Sequence, residues 1–120
     1  MSELRYQRLD FESRAATLAS IAGGDDDSIV RAMFAAALES NDKDFIETLA
    51  VALSVHPAAD VRRAAVLSLG HVARRFGTVE PASLEAVIAR LRNDTDLRGA
   101  LYDLESDLNV FIGRPHEDHD

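Results

Sequence analysis

The stretch from His56 to Arg75, HPAADVRRAAVLSLGHVARR, leaves the chain few ways to fold. Pro57 cannot continue a preceding helix and biases His56 away from helical geometry, while Asp60 complements the positive end of a new helix. One helix therefore stops and another starts within a few residues. Val61, Ala65, Ser68, Leu69, Val72 and Phe76 then make one apolar stripe at helical spacing, with Val66 and Leu67 adding apolar surface beside it. Ala64, Ala65, Ser68 and Gly70 carry little side chain, which suits a helix approached closely on both flanks. Two other places echo this stretch. Ile29-Val30-Arg31 opens a run ending at Leu38, and Asp96-Leu97-Arg98 opens a run ending at Ile112, so the arginine recurs after 31 and then 36 residues. A period of that size belongs to stacked helical hairpins rather than to a single closed core.

Stop and start signals divide the rest accordingly. Helices are predicted at 10–22, 27–40, 43–55, 58–76, 81–92 and 95–112. Phe11, Ala15, Leu18 and Ala22 share a face of the first, which Gly23 closes; Asp25 to Ser28 supply caps for the second. Asn41 and Asp42 cap the third, with Asp44 and Glu47 in its first turn and Phe45, Leu49, Ala52 and Leu53 inward. Gly77 ends the fourth, and Pro81 starts a fifth carrying Leu84, Val87, Ile88 and Leu91. The sixth turns Leu97, Leu101, Leu104, Leu108 and Phe111 inward. The expected fold is all-α, a short α-α superhelix of three antiparallel helix pairs in one domain over residues 1–120, with 1–9 an N-terminal arm and 114–120 a flexible tail.

Charge and composition narrow the function classes. The chain has no Cys, which excludes disulfides, thiolate metal sites and cysteine nucleophiles together. Thirteen basic against 21 acidic residues give a net charge of −8, which speaks against nucleic acid or an anionic membrane as partner and for a basic protein. No apolar run approaches the roughly 18 residues of a membrane span, and the polar N-terminus predicts a cytoplasmic protein. The charge is uneven: residues 61–79 hold four basic and no acidic groups, between two acidic flanks. That basic cluster, Arg62, Arg63, Arg74 and Arg75, would repel a basic ligand, so binding is expected at the acidic ends.

Constellations that could carry chemistry have plainer readings. Asp25-Asp26-Asp27 lacks the alternating ligands and final Glu of a calcium loop and reads as a capping acidic loop. His116 and His119 lie in the tail after Pro115, where terminal ordering is poor. Ser68 and His71 are one turn apart, but Ser68 falls on the apolar stripe and no third group orients the pair. Asn93-Asp94-Thr95 reads as a turn rather than a glycosylation site. No catalytic residue, metal site or cofactor is assigned.

At Asp60, Val61, Arg62, Ala64, Ala65 and Leu69, and again at Asp96, Leu97, Arg98, Ala100, Leu101 and Leu104, the sequence resembles the HEAT-like repeat family; the first pair departs from it, with Ile29 in place of the Asp. The resemblance implies a scaffold in which Arg62 and Arg98 are structural, pairing with Asp60, Asp96 or carboxylates of adjacent repeats. Counted from the repeat arginines, Tyr102 and Asp103 correspond to Val66 and Leu67, and Glu105 to Leu69, so apolar positions have become polar in the sixth helix. Two readings remain open there: a polar cap closing the stack, or a partner surface. The candidate partner-binding residues are Tyr102, Asp103, Glu105 and Asp107, joined by Asp25, Asp26 and Asp27 where a partner spans the stack. Short acidic proteins of this type resemble bacterial immunity proteins, which implies a monomer when free that neutralises a basic toxin domain, with a nuclease as one candidate. The alternatives are an assembly adaptor or a subunit akin to chromophore lyases.

Overall fold

The computed structural model describes residues 14–111, and of Phe111 the backbone alone. The arm at 1–9, the predicted start of the first helix at Asp10 and the tail at 114–120 lie outside the described residues. The chain is all-helical: α1 over residues 14–23, α2 Asp26–Glu39, α3 Lys43–Leu53, α4 Ala59–Phe76, α5 Pro81–Leu91, a single 3₁₀ turn Thr95–Leu97, and α6 Arg98–Phe111. These form three consecutive helix pairs, and the predicted boundaries stand within a few residues of the observed ones over the described part of the chain. The sixth helix starts in the 3₁₀ turn, where Asp94 accepts a hydrogen bond from the Asp96 N–H at 3.0 Å.

Local chemistry accounts for the breaks. Asp25 caps α2 by accepting from the Ser28 N–H at 2.9 Å, and Asp42 caps α3 by accepting from the Phe45 N–H at 3.1 Å. Gly77 closes α4 at φ 76°, left-handed backbone that glycine adopts without steric cost. Pro81 occupies the first turn of α5, where no intrahelical N–H is needed.

The second helices of the pairs, α2, α4 and α6, pack side by side as one layer, with α4 in the middle and α3 laid across it from the other layer. Burial follows this arrangement. Val61, Ala64, Ala65, Val66, Ser68, Leu69, Gly70, Val72 and Ala73 are all buried in α4, so the helix is covered on more than one side, whereas α5 buries only Val87 and Leu91. Small residues let the layer close. A Cβ on Gly70 would stand 2.5 Å from the Asp107 carboxylate, so the missing side chain leaves room for that carboxylate to lie against α4.

Burial also corrects the sequence register. The first buried position of the three second helices is Ile29, Val61 and Leu97, so the residues that follow, Val30, Arg62 and Arg98, are equivalent. Arg31 matches Arg63 instead, and the first repeat has no counterpart of Arg62. In α1 the inward face is also rotated from the predicted one. Arg14, Thr17 and Ile21 are half-buried, while Ala15 and Ala22 are exposed and Leu18 is 51% exposed. The reason lies in the contacts: Arg14 is held by Asp42 at 2.5 Å and Ile21 packs on the core, which turns Leu18 outward.

Candidate interaction surface

Polar contacts between repeats determine which charges remain available to a partner. Arg62 donates its Nε to Asp94 at 3.1 Å and its Nη1 to the carbonyls of His56 and Pro57 at 2.9 and 2.8 Å, fastening the loop that enters α4 to the loop that enters α6. Arg63 bonds Asp60 at 2.8 Å and the Asp96 carbonyl at 3.1 Å. Arg74 bonds Asp107 at 2.6 Å, and Arg75 donates to the carbonyls of Ala37 and Ser40 at 2.7 and 2.9 Å, closing the C-terminus of α2. The four arginines expected to form a repelling basic middle are thus each engaged within the fold. Arg62 pairs as the resemblance implied with carboxylates of the adjacent repeat, closely with Asp94 and at 3.9 Å with Asp96, and not with Asp60. Arg98, which the resemblance implied to be structural as well, is exposed and makes no ion pair among the described residues.

Sequence reasoning missed a second set of these contacts. Glu47, 2% exposed, accepts from the Glu80 N–H at 3.2 Å and from the Ser83 hydroxyl at 3.1 Å while Lys43 lies 2.6 Å away. It therefore caps the N-terminus of α5, whose own N-cap side chain makes no capping bond. Arg90 in turn donates to the Val51 carbonyl at 3.0 Å and to Ser54 Oγ at 3.2 Å at the end of α3. Caps supplied from the neighbouring repeat leave no local spacing in the sequence by which to find them.

The candidate partner residues divide between two faces. Asp107 is half-buried against Gly70 and paired with Arg74, and Asp103, one turn before it and exposed, shares its face of α6. This is the open face of the second-helix layer. Asp27 lies on it too, lining a groove of about 210 Å³ between α2 and α4 with Val30, Phe34, Asp60, Arg63, Ala64 and Leu67. Beyond the groove, Phe34 meets His71 edge to face with ring centroids 6.4 Å apart, and Leu38 is 56% exposed. Burial and the Arg74 guanidinium hold His71 below the ordinary imidazole value of 6.5, against the opposing pull of Asp107. With Arg74 Nη2 donating to His71 Nδ1 at 2.9 Å, the ring proton rests on Nε2. Asp25 is held below the usual carboxylate range by the Ser28 N–H and hydroxyl, and Asp26 comes within 4.0 Å of His56. Tyr102 and Glu105 instead face the outer end of the stack with Ile88, Arg92, Arg98 and Leu101.

Ser68 and His71, one turn apart in sequence, do not pair. The Ser68 hydroxyl is fully buried and makes no hydrogen bond among the described residues, so His71 does not reach it. No group of three or more His, Asp or Glu side chains among the described residues is placed to hold a metal ion, and His116 and His119 lie outside them. No described helix is long and apolar enough to cross a membrane.

The comparisons with known proteins agree with the architecture. No curated protein and no solved structure is detectably similar to the chain. The family model for HEAT repeats matches residues 15–103, which runs from α1 into α6 and takes in all three pairs. By that match and by its three stacked helix pairs, the chain belongs to the HEAT-repeat family.

Proposed function

We propose that the chain is a non-catalytic protein-binding module of the immunity type, neutralising a basic toxin domain by docking it on the open face of α2, α4 and α6. HEAT repeats are helical modules of protein interaction, and the fold gives this one a groove with the right chemistry. The observation that carries the reading is the α2–α4 groove, where Val30, Phe34 and Leu67 form an apolar floor and the carboxylates of Asp27 and Asp60 stand at one end. Asp27 makes no ion pair among the described residues, so a ligand cation there has an uncommitted partner. Asp103 extends the acidic surface onto α6. A net charge of −8 steers a cationic domain toward it and gives fast association.

Within this reading the seven candidate residues have different duties. Asp27 and Asp103 meet the ligand, Asp26 stands beside Asp27, Asp25 holds the start of α2 and Asp107 holds α6 to α4. Tyr102 and Glu105 lie off this face. The adaptor and lyase-like alternatives have no observation of their own in their favour.

The test is titration with basic bacterial nuclease toxin domains, at low and at high salt. Asp27→Lys combined with Asp103→Lys is expected to slow association by about tenfold or more at low salt, with a smaller effect at high salt. An affinity indifferent to both the reversals and the salt would overturn the proposal.

A further inference from the structure

The face of α6 turned toward α5 carries a pattern whose charged members make no ion pair among the described residues and whose Leu101 is half-buried against the core. Arg98, Leu101, Tyr102 and Glu105 fall at i, i+3, i+4 and i+7 of α6, and with Ile88 and Arg92 of α5 they line a shallow groove of about 250 Å³. Tyr102 is 69% exposed, and Arg92, Arg98 and Glu105 make no ion pair among the described residues. Along α6 the face therefore reads cation, aliphatic, aromatic, anion. Read backwards, the same face is its own complement.

We propose that this face is an isologous interface through which the chain pairs with a second copy of itself about a two-fold axis. A two-fold contact requires that residue i meet residue j and residue j meet residue i. With the axis between Leu101 and Tyr102 and the two α6 helices antiparallel, Leu101 of each copy lies on Tyr102 of the other, and Arg98 of each lies opposite Glu105 of the other. Arg98 and Glu105 sit two turns apart, about 10 Å along their own helix, beyond the reach of an i,i+4 pair. They are thus available to a second copy and poorly placed to satisfy each other. The arginines also decide the occupant, since a uniformly basic ligand would meet Arg92 and Arg98 here. This interface replaces the monomer expected from the sequence, and it leaves Asp27, Asp60 and Asp103 uncovered, so it stands or falls apart from the proposed toxin docking.

A charge swap on the full chain, followed by sedimentation over a range of concentrations, provides the test. Wild type is expected to dimerise reversibly. Arg98→Glu and Glu105→Arg each put like charges opposite one another and are expected to weaken the dimer by about tenfold. The double variant restores opposite charges across the axis and is expected to return to within about threefold of wild type. Both positions are exposed, and a helical circular dichroism spectrum for all four proteins confirms that each is folded. Tyr102→Ala is expected to dissociate the dimer without any dependence on salt. A wild type that stays monomeric at millimolar concentration, single reversals without effect, or a double variant no better than the singles would each overturn the proposal.

Discussion

Glu47 shows how one buried charge is held. A carboxylate that is 2% exposed would be strongly unfavourable alone, but this one receives Lys43, the Ser83 hydroxyl and the Glu80 N–H. Replacing it with alanine leaves a partly buried N–H and a hydroxyl without this acceptor, leaves Lys43 without its ion-pair partner and removes the negative charge from the start of α5. Glu47→Ala is therefore expected to lower stability by about 3 kcal/mol in urea denaturation, well beyond the ~0.5 kcal/mol of an ordinary surface substitution. Asp44→Ala, removing an exposed first-turn acid of the same helix, is expected to stay below about 1 kcal/mol. The sequence alone does not separate these two. Both read as acids near the start of α3, and what distinguishes Glu47 is a pair of partners 33 and 36 residues away. Arg62 was legible for the opposite reason. It recurs as Arg98 in the third repeat, although its partner Asp94 had read only as part of a turn.

At the scale of elements, two glycines of α4 and its cap have opposite roles. Gly77 sits at φ 76°, so Gly77→Ala is expected to cost about 1 kcal/mol or more whatever space surrounds it. Gly70 has ordinary helical backbone, and an added Cβ would meet only the end of the Asp107 side chain. That carboxylate can swing aside at the expense of its partly exposed pair with Arg74, worth about 0–1 kcal/mol, while alanine gains about 1 kcal/mol of helix propensity. Gly70→Ala is thus expected to leave the melting midpoint nearly unchanged. Equal losses for the two variants would show that the spacing of α4 and α6 matters more than side-chain freedom. Helix positions were legible because Gly77, Pro81, Asp42 and Asp25 act on backbone within a few residues of themselves. The inward face of α1 was not, since alanine and leucine at 15, 18 and 22 match a helical period whether or not anything packs on them.

For the whole molecule, the layered arrangement sets an order of stability. In α4, nine residues are buried between α2, α6 and α3, so its amides can open only when the core does. By contrast α5 buries Val87 and Leu91, packs on α3 across a groove of about 490 Å³ lined by Val51, Ala52, Ala82 and Ala86, and borrows its N-terminal cap from Glu47. In a stack each repeat is stabilised by its neighbours, and an end helix with few buried contacts opens first. Hydrogen exchange in dilute solution is expected to show α5 amides exchanging at least about tenfold faster than those of α4. Glu47→Ala should widen that gap, because loss of the cap acts directly on α5 but reaches α4 only through global stability. Equal protection of the two helices in wild type would mean that the molecule unfolds as one unit, with the α3–α5 contact contributing as much as the close layer around α4.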